Sequence, residues 1–109
     1  MTTAEEVQKI IRVQADDLTR TNDHGITLKQ AFVSPQRITV IVRIVKNGRI
    51  KQQTENVWLV GQENAVDGYR IVMHERDCQF GLVSPGFPSD KHLVLTGWYG
   101  SLKSAFLGM

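Results

Sequence analysis

The sequence predicts an α+β domain in which an N-terminal helix packs on an antiparallel sheet. Alternating apolar residues from Arg37 to Lys46 run into the dipeptide Asn47-Gly48, and a second extended segment follows. Asn-Gly between two extended segments is a strong hairpin signal. At residues 2–22 the apolar side chains instead recur at helical spacing. A helix followed by a run of strands is typical of α+β folds.

Length and composition indicate one globular domain that spans residues 1–109. Hydrophobic residues make up 41% and charged residues 22% of the chain, which is ordinary for a globular protein. A chain of this size buries enough surface to fold without a metal or a disulfide. The single cysteine, Cys78, excludes an internal disulfide and fits a reducing compartment.

The N-terminal residues lack the basic and apolar regions of a signal peptide, and no apolar run approaches the roughly 18 residues of a membrane span. We therefore expect a cytoplasmic protein without a membrane partner. The net charge of +2 is too small to indicate nucleic-acid binding by itself.

The predicted helix at 2–22 is amphipathic, and Thr3 with Glu6 matches a capping box at its start. The turn formers at 22–25 are expected to end it. Its apolar stripe is narrow, so we expect the helix to lie across one face of the sheet. The stripe consists of Val7, Ile10, Ile11 and Leu18.

Five or six antiparallel strands are expected to form a curled meander, with a short C-terminal helix capped by Ser101. The strand at 26–34 contains a bulge or a helical turn near Lys29–Ala31, and Pro35-Gln36 separates it from the strongest strand. The remaining predicted strands are 37–46, a return segment to residue 60, 69–74, 78–84 and 92–98. This layout resembles that of cystatin-like and other small cone-shaped folds, and the resemblance is one of topology alone.

Two registers are open to the central hairpin. A two-residue type I′ turn pairs Lys46 with Arg49 and places Lys51 on the apolar face. A bulge at Gly48 instead pairs Ile44 with Ile50 and leaves Lys51 on the solvated face, beside Arg43. Because a one-residue shift moves every side chain to the other face, burial favours the bulged register.

Two groups of reactive residues are candidates for a metal site or a catalytic site. His74 and Cys78 are potential zinc ligands or a nucleophilic pair, but no second Cys or His pair lies near them in the sequence. Asp90 and His92 border a loop and are a candidate acid–base pair. Phosphate-binding glycine loops and serine-nucleophile motifs are absent from the sequence. We therefore expect no metal and no cofactor, and a small acid–base enzyme ranks last among the functions.

The large aromatic residues indicate a ligand site. On a curved sheet covered by one helix, tryptophan and tyrosine often line the concave mouth where small ligands bind. The leading functional prediction is therefore non-enzymatic binding of a small, partly apolar ligand between helix and sheet. The predicted ligand-binding residues are Trp58, Tyr69, His74, Trp98 and Tyr99.

A second functional prediction rests on charge, because no acidic residue occurs from 37 to 54. A basic hairpin contacts an acidic protein or a phosphate backbone, or it simply protects the sheet edge. Nucleic acid is the disfavoured partner, since the exposed face lacks aromatics for stacking. The alternative function is therefore a protein-interaction module of the inhibitor or immunity type, and a homodimer is the other candidate assembly. The predicted basic surface consists of Arg37, Arg43, Arg49 and Lys51.

Overall fold

The computed structural model describes residues 3–15, 21, 25–63, 68–86 and 92–109. In chain order its elements are α1 (Ala4–Gln14), α2 (Leu28–Ala31), β1 (Phe32–Lys46), β2 (Arg49–Gln62), β3 (Arg70–His74), β4 (Phe80–Ser84), β5 (Leu93–Gly100) and α3 (Leu102–Leu107). This order confirms the predicted N-terminal helix and short C-terminal helix, and the sheet between them has five strands and is mostly antiparallel. In the described parts of the chain, no helix combines the length and apolarity that crossing a membrane requires.

The sheet closes into a five-stranded barrel, whereas the sequence was expected to form a curled open meander. Consecutive strands pair antiparallel, and β5 then returns to β1. The closing contact is parallel and short, with Val40 opposite Leu93 and Ile41 opposite Val94. Register shifts in β1, in β2 and between β4 and β5 supply the bends that closure requires. Local sequence patterns do not report such a contact between the first and last strands.

The buried apolar residues form two clusters, one on each side of the sheet. All five strands and no helix contribute to the first cluster, so it fills the barrel interior; its most buried members are Val40, Val57, Leu59, Val72 and Val83. The second cluster joins the outer face of β2, β3 and β4 to all three helices. Val7 and Ile11 of α1 and Phe106 of α3 belong to it, so the helices cover one outer side of the barrel.

Helix α1 starts as predicted, because the Thr3 hydroxyl accepts a hydrogen bond from the Glu6 N–H at 3.3 Å. It ends at Gln14 with Ala15 as its C-cap, and is therefore shorter than the predicted helix. Residues 16–20 and 22–24 of the predicted helix and its end, including Leu18, lie outside the described residues.

The segment before the hairpin confirms one expectation and corrects two. Residues 28–31 form helix α2 with a Thr27–Gln30 capping box, which is the helical turn expected near Lys29–Ala31. Of the predicted strand at 26–34, only residues 32–34 belong to a strand of the sheet, as the start of β1. Pro35-Gln36 does not separate two strands. Strand β1 runs through Pro35, and a register shift between Phe32 and Gln36 accommodates the missing N–H of the proline.

The C-terminal half follows the predicted pattern closely. Strands β3 and β4 form the second hairpin, with a turn at residues 75–77. Strand β5 continues to Gly100, and the Ser101 hydroxyl accepts a hydrogen bond from the Ser104 N–H at the start of α3.

Candidate functional site

The β1–β2 hairpin projects beyond the barrel as a two-stranded arm, residues 42–53. Strand β5 accompanies β1 only at Val40 and Ile41, and β3 accompanies β2 only from Val57 onward. No described strand therefore pairs with either outer edge of the arm. The arm contains five residue pairs. At about 3.4 Å per residue, it is about 17 Å long.

A two-residue turn ends the arm. Lys46 lies directly opposite Arg49, and both Asn47 (φ 52°) and Gly48 (φ 74°) have positive φ angles, as a type I′ turn requires. The predicted bulged register is therefore wrong: Ile44 lies opposite Lys51, and Ile50 lies opposite Val45. Burial could not select the bulged register because both faces of the arm are exposed near its tip.

One face of the arm carries an exposed apolar pair. Val45 and Ile50 lie directly opposite each other and are 75% and 72% exposed. The bulged register predicted from the sequence does not place these two residues opposite each other, although the two-residue Asn-Gly loop was the signal that predicts the pair. The two side chains together form an exposed apolar patch at the tip of the projecting ribbon.

The other face of the arm is cationic. Alternation along the two strands places Lys46, Arg49 and Lys51 on this face together with Ile44. Among the described residues, no carboxylate lies within ion-pair distance of these three cations. Like charges directly opposite each other destabilise a strand pair. The arm therefore carries an electrostatic cost.

The predicted basic surface is not one patch. Arg43 lies opposite Gln52 on the apolar face of the arm, whereas Lys51 lies on the other face. The prediction that Arg43 and Lys51 lie side by side is therefore wrong. Arg37 belongs to the barrel wall instead. Its Nη2 lies 2.6 Å from Oε1 of Glu75, and its guanidinium carbon lies 4.9 Å from the centre of the Trp58 ring.

The five predicted ligand-binding residues do not converge on one pocket. Trp58, 6% exposed, and Tyr69 pack in the helix-side cluster. Trp98 packs in the barrel interior, and the ring of His74 meets its ring edge-on at a centroid distance of 5.3 Å. Tyr99 is 42% exposed, as strand alternation next to an inward Trp98 requires.

His74 has a structural role in the turn that follows it. Its Nδ1 accepts hydrogen bonds from the backbone N–H groups of Arg76 and Asp77 at 3.2 and 3.3 Å. Cys78, with a φ of 55°, completes the reversal of the chain and is half-buried. Within the described ranges, no three His, Cys, Asp or Glu side chains are placed to hold a metal ion. Asp90, the other half of the candidate acid–base pair, lies outside those ranges.

Two cavities of about 500 Å³ in the described part of the chain lie apart from the arm. A groove of about 510 Å³ lies between α1 and β1. Eight described residues line it, among them Ile11, Arg12, Ala15 and Phe32. A second cavity, of about 500 Å³, opens at the end of the barrel where β3 and β5 begin. Their walls come from segments far apart in the chain, so sequence spacing could not reveal them.

Comparison with protein-family models, with curated proteins and with solved structures found no match to this chain. The geometry of the arm and of the two cavities is therefore the basis for assigning a function.

Proposed function

We propose that the protein is a protein-interaction module whose arm binds an acidic, strand-forming segment of a partner protein. The observation that carries this proposal is the exposed Val45–Ile50 pair on a ribbon whose opposite face holds three cations without a described counter-charge. An isolated two-stranded ribbon is only marginally stable in water. A third strand supplied by a partner satisfies an open edge and buries the apolar pair.

The two faces of the arm specify the pattern of the partner segment. A strand added to either edge shares both faces of the ribbon, and its successive side chains point to opposite faces. Apolar residues at alternate positions would cover Val45 and Ile50. Acidic residues at the positions between them would meet Lys46, Arg49 and Lys51. The expected ligand is therefore a segment in which acidic and apolar residues alternate.

Two other occupants of the arm are disfavoured, a second arm by its charge and a nucleic acid by the lack of stacking side chains. A second arm placed edge to edge would bring two sets of four cations together, because residues 42–53 contain no acid. The arm also has no aromatic side chain on which a nucleic-acid base can stack. Binding to nucleic acid is the alternative outcome of the test below.

The test uses a fluorescently labelled peptide of alternating glutamate and valine, titrated with the protein and followed by anisotropy. We expect saturable binding that weakens as salt is raised, since the cations contribute to affinity. A peptide of the same composition in scrambled order, an alternating lysine–valine peptide and a short DNA duplex are the comparison ligands. Equal binding of the scrambled peptide, or tighter binding of the duplex, would contradict the proposal.

Two variants with matched controls locate the binding surface. K46E/R49E/K51E reverses the arm's cationic face, whereas K9E/K29E/K103E makes the same charge change at exposed helical positions. We expect a loss of affinity of at least about tenfold for the first and a small change for the second. V45T/I50T is expected to weaken binding, with V13T, at an 85% exposed position of α1, as its control. Equal losses in a variant and its control would place the contact elsewhere.

A second candidate function, the binding of a small, partly apolar ligand between helix and sheet, is supported by the groove between α1 and β1. Ile11 and Phe32 give this groove apolar walls, and Arg12 adds a cation at its edge. A thermal-shift screen of metals, nucleotides, acyl and aromatic acids tests this candidate. A ligand present at about 100 times its dissociation constant adds roughly 2.7 kcal/mol to the free energy of unfolding. F32A should abolish any shift that arises from the groove.

A further inference from the structure

The cavity at the end of the barrel has an apolar floor. Ile38, Leu59 and Leu93 line it, and all three belong to the cluster that fills the barrel interior. The cavity is therefore an extension of the barrel core that opens to solvent. Its volume of about 500 Å³ falls in the range of small-molecule sites, roughly 300–1,000 Å³.

The rim of the cavity is polar, and among its described residues only Arg70 carries a permanent charge. Arg70 lies opposite Val83, a fully buried residue of the barrel interior, so its side chain leaves β3 on the interior side. Gln36, Thr39, Gln62 and His92 complete the polar lining, which contains no described acidic side chain. An anion entering the cavity therefore meets hydrogen-bond donors and, among the described residues, no repelling carboxylate.

The guanidinium of Arg70 has unused hydrogen-bonding capacity. It is half-buried and, among the described residues, donates one hydrogen bond, from Nη1 to the Gly68 carbonyl oxygen at 3.3 Å. A guanidinium carries five N–H donors in a planar fork that matches a carboxylate. Among the described residues, no carboxylate lies within ion-pair distance of Arg70.

We propose that this cavity binds a small carboxylic acid, with the carboxylate on Arg70 and the apolar body against Ile38, Leu59 and Leu93. One guanidinium beside neutral amides matches a monoanion better than a doubly charged phosphate. The ring N–H of His92 is a second donor at the rim. This site is separate from the arm, so its occupancy and partner binding can be measured independently.

The first experiment is a titration of the ¹⁵N-labelled protein with hexanoate and benzoate, and with hexanamide and benzamide as neutral analogues. We expect saturable shifts of backbone amides at the cavity, at Ile38, Leu59, Arg70 and Leu93. Each acid should bind at least about tenfold more tightly than its amide, because only the acid forms charge-assisted hydrogen bonds. No saturable shift up to about 10 mM, equal affinities of acid and amide, or shifts confined to the arm or to α1 would overturn the proposal.

Variants of Arg70 identify the group that selects the carboxylate. R70M keeps the length of the side chain and should reduce the acid-to-amide affinity ratio to about one. R70K keeps the charge but loses the planar fork, and should give an intermediate ratio even if R70M fails to fold. R76M, at an exposed turn position, is the control and should keep the wild-type ratio. A wild-type ratio in R70K and R70M would overturn the assignment.

Discussion

Gly81 and the indole of Trp98 are in direct contact across β4 and β5, with no room for a side chain between them. A Cβ atom at position 81 would lie 2.7 Å from Cε3 of Trp98 and 2.7 Å from the carbonyl oxygen of Gly97. Trp98 packs in the barrel interior and is the largest side chain of that cluster. The missing side chain at Gly81 therefore lets the indole lie against the barrel wall.

We expect G81A to destabilise the protein by about 1–3 kcal/mol, because the added methyl group must displace either backbone or a packed ring. Urea unfolding of the variant and the wild type measures this difference. G97A is the matched control, since a Cβ there would have only Tyr99 within 4 Å, with Cε2 at an ordinary contact distance of 3.8 Å. Equal stability of G81A and G97A would show that the barrel wall adjusts freely at this point.

The turn of the arm supplies a second prediction. Asn47 has a φ of 52°, a conformation that costs most non-glycine residues roughly 1 kcal/mol and that asparagine tolerates better. N47A should therefore lower the hydrogen-exchange protection of the arm amides about fivefold, while N47G should preserve it. If N47A protected the arm as well as N47G, the type I′ turn would not be what holds the arm together.

The sequence predicted the elements whose signals are local. Thr3 and Ser101 start helices because a hydroxyl accepts a hydrogen bond from an N–H three residues later. The turn at 75–77 and the Asn47-Gly48 turn were also placed correctly, because these short segments contain their own turn-forming residues. Such signals depend on a few neighbouring residues, so they remain readable without any knowledge of the tertiary structure.

The features that the sequence did not predict depend on contacts between distant segments. Barrel closure rests on two residue pairs between β1 and β5, which no local pattern encodes. The predicted register of the arm was wrong because it depended on a buried apolar face, whereas Ile44 and Ile50 are 42% and 72% exposed. Arg70 was missed as a candidate because only barrel closure brings it to the same cavity as His92.

A third prediction concerns the contact between the first and last helices. Oε1 of Gln14, the last residue of α1, accepts a hydrogen bond from the Leu102 N–H at the start of α3, at 2.8 Å. Q14A should lower the free energy of unfolding by about 1 kcal/mol, because this part-buried N–H loses its acceptor. Q14E keeps an acceptor and places a negative charge near a helix N-terminus, so it should be at least as stable as the wild type. Q8A, at an exposed position of the same helix, is the control in urea unfolding, and a loss as large as that of Q14A would assign the effect to α1 alone.

The cationic face of the arm predicts opposite effects of one substitution on stability and on binding. Lys46 lies directly opposite Arg49, and replacing this repulsion by attraction in R49E should stabilise the arm by about 0.2–1 kcal/mol. The protection of the arm amides from hydrogen exchange should rise accordingly. Affinity for the alternating glutamate–valine peptide should fall in the same variant, because one cation is lost and an acid is added.

R49Q separates the effect of losing the cation from the effect of gaining an ion pair, since it removes the cation without creating a new ion pair. It should give intermediate values both of arm protection and of peptide affinity. A rise in protection without a fall in affinity would mean that the peptide does not use this face. A fall in both arm protection and peptide affinity would mean that Arg49 supports the fold of the arm. The loss of affinity would then follow from the loss of structure and would not show that Arg49 contacts the peptide.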